Sequence, residues 1–229
     1  MSIKKEKAFA QLKKDFSVFS NIVFKQLRQL ESIINSESNI ISEEVYETIN
    51  KQEKEIDKFE LKITEEVITT IVLYSPVANE LRQLMALNRM TANLEKIGDL
   101  IINIIKDIRK IDDEKLYTKL LDTINDILII SISMVEKSLF AFKNNDMDYA
   151  IWTIKNDDIV DEIHHSFIKK IIKKNLLNVK SQEEVSTLIR MMTIVSNIER
   201  IADKATNIAE AAIFSTMGKD VRHKDIDKI

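Results

Sequence analysis

The chain contains the stretch LEKIGD at residues 94–99 and a near copy of it, IERIAD, at residues 198–203. One constant offset separates the copies, since 199 − 95 and 203 − 99 both equal 104. An Asn follows each Asp four residues later, so the spaced polar residues are Glu95, Asp99, Asn103, Glu199, Asp203 and Asn207. Residues four apart share one face of an α-helix. The repeat therefore predicts two helices that each present the same row of oxygen atoms.

The composition around these stretches predicts long helices and little else. The 229 residues are 45% hydrophobic and include only 2 Gly and 1 Pro, so few helix breakers interrupt the chain. Apolar residues recur at helical spacing in six segments, at about 4–34, 42–74, 75–111, 113–143, 147–175 and 181–217. Ser42 is the expected N-cap of the second helix, and Ser75 that of the third, with Pro76 in its first position. Gly218 is the expected C-cap of the last helix.

The offset of 104 residues also holds outside the opening stretch. It pairs Glu53 with Asp157 and Asp57 with Asp161, so each half has one acidic pair on its second helix and another on its third. We therefore predict an all-α fold of two tandem homologous three-helix bundles with six long helices. Residues 1–111 form the first bundle and 112–218 the second in this prediction, and residues 219–229 form a frayed, polar C-terminal tail.

The acidic pairs are candidate metal ligands. A helical wheel places them beside the apolar stripe of each helix, so packed helices would bring four carboxylates and an amide oxygen to one surface groove. Such oxygen atoms suit iron, Mg²⁺, Mn²⁺, Zn²⁺ or Ca²⁺, as divalent or trivalent ions. The competing interpretation, that the acids are only the solvated edges of helices, remains open from the residues alone. His164 follows Asp161 by three residues, and we expect it to be a surface histidine rather than a ligand.

Several functional classes find no support in the sequence. The net charge of −3 gives no reason to expect a nucleic-acid partner, and the absence of cysteine excludes a thiolate metal site. There is no nucleophile–His–acid set and no Gly-rich phosphate loop, so we do not expect an enzyme. No apolar run approaches the roughly 20 residues that span a bilayer, and no secretory signal is visible. We expect a cytoplasmic protein that is not inserted in a membrane.

These stretches resemble the PhoU family of bacterial phosphate regulators. The similarity rests on residues 94–99, on IERIADKATNIAE at 198–210, and on PVANELR at 76–82, which opens the third helix. The first stretch departs from the family pattern by Lys96, where the family has Arg. The resemblance implies two homologous three-helix bundles and a protein without catalytic activity. It also implies that the acidic pairs bind metal ions, often iron, at the bundle surface.

The resemblance further implies specific partners. The protein would link the ATPase subunit of a phosphate ABC transporter to a sensor histidine kinase, and repress the phosphate-starvation response when phosphate is plentiful. It would reach the inner face of the membrane only through the transporter, and a homodimer is one arrangement left open. The alternatives are an accessory protein of another phosphate transporter, a carboxylate-rich helical protein that binds or stores metal, and a plain helical adaptor.

Overall fold

A computed structural model describes residues 3–175 and 179–222 of the chain. Within those two ranges the chain forms six α-helices and no strand, which confirms the predicted all-α class. The helices are α1 (Ile3–Asn35), α2 (Glu43–Tyr74), α3 (Asn79–Ile108), α4 (Glu114–Asn144), α5 (Met147–Lys170) and α6 (Gln182–Met217). The fifth helix was predicted to continue as an α-helix to about residue 175, but its last five residues, Ile171–Asn175, form a π-helical turn. No helix in the described ranges is both long and apolar enough to cross a lipid bilayer.

Polar side chains cap the N-termini of α2, α4, α5 and α6. The hydroxyl of Ser42 accepts a hydrogen bond from the backbone N–H of Val45, and the carboxylate of Asp113 accepts one from Leu116. These side chains satisfy N–H groups that have no partner within the first turn of a helix. At the other end of the chain, Gly218 adopts the left-handed conformation with φ of 71°, as its predicted C-cap role requires.

The turn between α2 and α3 differs from the prediction. Ser75 is not the N-cap of α3 but the C-cap of α2, where its N–H donates to the carbonyl of Ile71 at 3.0 Å. The ring of Pro76 disfavours a right-handed helical conformation at Ser75, which instead has a positive φ of 43°. Ala78 also has a positive φ, of 47°, and α3 begins only at Asn79. Pro76 therefore lies in the turn, and its predicted place in the first helical position is wrong.

The six helices form two bundles around one continuous apolar core. α1, α2 and α3 pack together, as do α4, α5 and α6, and the most extensive contact of all joins α3 to α6. Arg190 at the start of α6 pairs with Asp107 at the end of α3 at 3.2 Å, so these two central helices are antiparallel. Near the opposite end of the pair, the guanidinium of Arg89 lies 5.0 Å from the ring centre of Phe214.

A glycine brings α2 and α3 into close contact. A Cβ atom on Gly98 would lie 3.2 Å from Cδ1 of Ile56, which is shorter than ordinary contact. In the second bundle the offset places Ala202 and Val160 at the matching positions, and both are fully buried. Compared with the first bundle, the second has one methyl group more on its third helix (Ala202 for Gly98) and one fewer on its second helix (Val160 for Ile56). The side-chain volume between the two helices is therefore conserved. This close approach sets the acidic pairs of neighbouring helices side by side.

The first residues after α6 pack against the bundle instead of fraying. Val221 is only 3% exposed and lies in a small apolar cluster with Ala141, Ala150 and Ile213. The prediction of a frayed tail is therefore wrong for this residue. Its apolar side chain is more stable when it is packed against other apolar side chains than when it is exposed to water. The remainder of the predicted tail, residues 223–229, lies outside the described residues.

Candidate metal sites

The first acidic groove lies between α2 and α3. Glu53 and Asp57 of α2 and Glu95 and Asp99 of α3 are all half-buried beside the apolar stripes of their helices. Burial raises the pKa of Glu53, and the negative charges of Asp57, Asp99 and Glu95 raise it further. Burial likewise raises the pKa of Glu95, with repulsion from Asp99 and Asp57. The helix flanks therefore meet, and the four carboxylates form one electrostatic cluster.

Lysines partly neutralise this first groove. The ammonium group of Lys96 lies 3.0 Å from Oε2 of Glu95 and 3.1 Å from Oδ2 of Asp99. Lys106 is close enough to Glu53 to lower its pKa, against the effect of burial. A cation that enters this groove must therefore compete with an ammonium group that already contacts two of the carboxylates.

In the second groove, between α5 and α6, burial raises the pKa values of two of the acids further than in the first. This groove contains Asp157, Asp161, Glu199 and Asp203, all half-buried. Burial, followed by repulsion from the three aspartates, raises the pKa of Glu199 to about 7. Burial also raises the pKa of Asp157 to about 6, although a hydrogen bond from Thr206 opposes this shift. These two carboxyl groups accept protons near neutral pH because nothing nearby fully balances their charge.

The difference between the grooves lies in one basic residue. Arg200 is the counterpart of Lys96 by the offset, but its guanidinium donates to the amide oxygen of Asn197 at 3.4 Å. Among the residues that the structure describes, no Lys or Arg forms an ion pair with any of the four carboxylates of the second groove. Lys204 and Arg200 lower the pKa of Asp203, against the effect of burial, without forming such a pair, so they offset the negative charge of the second groove only in part, and a metal cation would neutralise the rest.

The two asparagines lie on the same helices as the acids but differ from each other in exposure. Asn103 is exposed and Asn207 is half-buried, one helical turn beyond Asp99 and Asp203 respectively. Neither amide forms a hydrogen bond with a described residue. Their role as ligands remains a prediction.

The carboxylates do not form a preassembled ligand set. In residues 3–175 and 179–222, no three His, Cys, Asp or Glu side chains are arranged to hold a metal ion. Binding would therefore require the long acidic side chains to rotate towards a common point, and Lys96 to move in the first groove. The donors themselves fit hard divalent or trivalent ions, which prefer carboxylate oxygens.

Two residues near the second groove differ from the sequence-based prediction: Thr206 was not predicted to contribute, and His164 was predicted to be more exposed than it is. Thr206 donates from Oγ1 to Oδ1 of Asp157 at 3.1 Å, and its position three residues after Asp203 on one helix face was the available signal. His164 was expected on the surface, but it is half-buried, with Nε2 3.0 Å from the hydroxyl of Ser196. Burial lowers its pKa, and its Nδ1 atom is buried without a partner among the described residues.

Comparisons with known proteins agree with this architecture. The family described as the PhoU domain matches the chain twice, at residues 17–108 and 124–212. The second match ends at the residue that the offset pairs with the end of the first. The tandem repeat predicted from the sequence is thereby confirmed.

Individual relatives match 80% or more of the chain. The phosphate-specific transport system accessory protein PhoU homolog 1 of Thermotoga maritima is 25% identical over 217 residues, which cover 95% of this chain and 90% of that protein. The PhoU homolog of Clostridium acetobutylicum is 31% identical over 189 residues, covering 80% and 82% respectively. The crystal structure of PhoU from Pseudomonas aeruginosa has the same fold, with a TM-score of 0.82 at 19% identity over 93% of this chain and 99% of that one.

Proposed function

Because the chain belongs to the PhoU family, we propose that it is a non-enzymatic, metal-binding regulator of phosphate uptake and phosphate-starvation signalling. In this role it links the ATPase subunit of a phosphate transporter to a sensor histidine kinase, and represses the response when phosphate is plentiful. It acts in the cytoplasm, at the inner face of the membrane, through the transporter. The names of its relatives, as accessory proteins of phosphate-specific transport, support the transport part of this proposal.

The observation that carries the metal-binding part is the recurrence of one four-carboxylate groove in both bundles. Asp157, Asp161, Glu199 and Asp203 would hold an ion between α5 and α6, and the corresponding residues of α2 and α3 would hold another. A bound divalent or trivalent ion supplies positive charge that ties two neighbouring helices together. The protein's own contribution is to hold the carboxylates half-buried, where the loss of hydration makes their mutual repulsion stronger.

A metal store or a metal enzyme is less well supported. Helical bundles that store or oxidise iron project their carboxylates and histidines inward, into the centre of the bundle. Here the central positions of α3 and α6 are apolar, and residues such as Leu94 and Ile198 are fully buried. The acids lie at the flanks of these helices, where a bound ion would face a docking partner.

Deletion and complementation test the regulatory proposal. Deleting the gene should derepress phosphate-responsive transcription or change phosphate uptake, and the wild-type chain should restore both. The double variant Asp99→Asn/Asp203→Asn should fail to restore them. Asp158→Asn, which removes an exposed charge next to the second groove, should complement as the wild type does. Normal transcription and normal uptake in the deletion strain would refute the regulatory role.

Elemental analysis tests the metal separately. The wild-type protein, purified without chelator, should contain iron or another divalent metal, and Asp99→Asn/Asp203→Asn should contain much less. A metal-free wild type together with full complementation by the double variant would favour a plain helical adaptor. If the deletion alters uptake through a transporter of another type while starvation transcription stays normal, the protein is an accessory of that transporter.

A further inference from the structure

A cavity with mostly apolar walls lies between the two bundles, away from both acidic grooves. It has a volume of about 270 Å³, opens to the solvent, and is lined by residues of α1, α3, α4 and α6 at the end of the molecule where α3 begins and α6 ends. Two lysines, Lys13 of α1 and Lys143 of α4, stand at its walls, and no acidic residue lines it. Neither lysine forms an ion pair with any residue in the described ranges. Both lysines are solvent-exposed, and their positive charge, with no facing carboxylate, favours an anion at the cavity.

Hydrogen-bonding groups face the same space. Ser215 of α6 lines the cavity although the residue is only 2% exposed, and Gln83 of α3 lines it as well. No described residue forms a hydrogen bond with the Ser215 hydroxyl. Because Ser215 lines the cavity and its hydroxyl has no partner within the described residues, that hydroxyl is available to a ligand.

The opposite end of the α3–α6 pair shows that the repeat does not require this opening. The offset pairs Gln83 with Thr187 and Ser215 with Ile111. There, the hydroxyl of Thr187 accepts a hydrogen bond from the backbone N–H of Asp113 at 3.0 Å. The carbonyl of Ile111 accepts one from the side chain of Asn39 at 2.8 Å. At that end both positions take part in hydrogen bonds within the chain, whereas no described residue bonds the Ser215 hydroxyl at the cavity.

One wall of the cavity is aromatic. Phe16 of α1 and Phe142 of α4 meet edge to face, with ring centres 5.8 Å apart, and Leu139 extends the apolar wall. Apolar walls with a few polar groups are typical of sites for small organic molecules. The space of about 270 Å³ is close to the lower end of the roughly 300–1,000 Å³ typical of sites for small organic molecules, and it exceeds what a phosphate ion alone would fill. The ligand should therefore combine an anionic group with an aromatic one.

We propose that this cavity binds a nucleoside monophosphate, with the phosphate between Lys13 and Lys143 and the base against Phe16 and Phe142. The sugar hydroxyls would bond to Ser215 and Gln83. The site is separate from the metal grooves, and the proposal does not depend on the proposed regulatory function.

Isothermal titration of the full-length protein with AMP and with GMP tests the proposal. At least one of them should bind, and inorganic phosphate and adenosine should each bind at least about tenfold more weakly, because each fills only one half of the site. The variant Lys13→Gln/Lys143→Gln should weaken nucleotide binding by at least about tenfold. Lys14→Gln, which removes a neighbouring exposed lysine that does not line the cavity, should leave binding unchanged.

A third variant tests the aromatic wall. Phe142→Leu keeps an apolar side chain but removes the ring, so it should weaken nucleotide binding severalfold and leave the weak binding of inorganic phosphate unchanged. Circular dichroism should show that each variant is folded. The proposal is overturned if neither nucleotide binds at millimolar concentration, if the double lysine variant binds as the wild type does, or if inorganic phosphate binds as tightly as the nucleotides.

Discussion

Replacing Glu199 by Gln should stabilise the metal-free protein at high pH and reduce its stabilisation by metal. In the folded protein, burial and three neighbouring aspartates raise the pKa of Glu199 from its ordinary value of 4.5 to about 7. A raised pKa in the folded state means that the stabilising contribution is complete below the ordinary value and is lost as the pH rises through about 7. The substitution Glu199→Gln keeps the shape of the protonated acid and cannot ionise. The variant should therefore resemble the wild type near pH 5 and exceed it near pH 8.

The size of this effect follows from the two pKa values. Each tenfold change in proton affinity corresponds to about 1.4 kcal/mol, so the full difference would be about 3 kcal/mol. Glu199 is only half-buried, and solvent screens much of the repulsion. We therefore expect Glu199→Gln to raise the free energy of unfolding by about 1 kcal/mol at about pH 8 and by little at about pH 5.

Urea unfolding in the presence of a chelator measures the difference directly. Glu47→Gln, which removes an exposed charge far from both grooves, is the control and should change the free energy of unfolding by less than about 0.5 kcal/mol at either pH. Addition of Mn²⁺ at about 100 times its Kd should stabilise the wild type by about 2.7 kcal/mol and the variant by much less. The reasoning is refuted if Glu199→Gln has the same stability as the wild type at pH 8 without metal. Equal stabilisation of both proteins by Mn²⁺ would show that Glu199 is not a ligand.

Three further substitutions test the description of the grooves. Lys96→Gln should tighten Mn²⁺ binding in the first groove by about tenfold, because the ammonium group no longer competes for two carboxylates; an unchanged affinity in calorimetric titration would contradict this. Thr206→Val should raise the pKa of Asp157 above about 6, since the hydroxyl hydrogen bond holds it down. An NMR titration that shows no upward shift would disprove that role. Gly98→Ala should be at least about 1 kcal/mol more favourable in an Ile56→Val background than in the wild type, because the shorter side chain removes the 3.2 Å contact. Additive free energies of unfolding would show that the two positions are not coupled.

The sequence predicts well those structural features that rest on a repeating pattern of residues. The helical spacing of apolar residues and the caps at Ser42 and Gly218 placed the helices, and the offset of 104 residues placed the acidic pairs on neighbouring helices. Local sequence rules failed at the turn between α2 and α3, because the positive φ angles fall on Ser75 and Ala78 and not on glycine. Neither residue type signals a left-handed conformation.

The electrostatic difference between the grooves was also beyond sequence reasoning. Lys96 and Arg200 occupy matching positions and carry the same charge, yet one contacts two carboxylates and the other an asparagine. That choice depends on side-chain rotamers and on the neighbouring helix, which a single sequence does not reveal. The burial of His164 could not be predicted for the same reason, because a histidine on a helix flank is exposed or covered according to what packs against it.

The exchange of a methyl group between Gly98/Ile56 and Ala202/Val160 limits how this protein can be rebuilt from its own parts. Moving α6 alone into the place of α3 would set an alanine against an isoleucine, and the reverse transplant would set a glycine against a valine and leave a void. Complementary side chains are kept only if the two helices of a pair, α2 with α3 or α5 with α6, are moved together. The unit of modularity in this duplicated chain is therefore the helix pair, which is also the smallest piece that carries a complete set of four carboxylates.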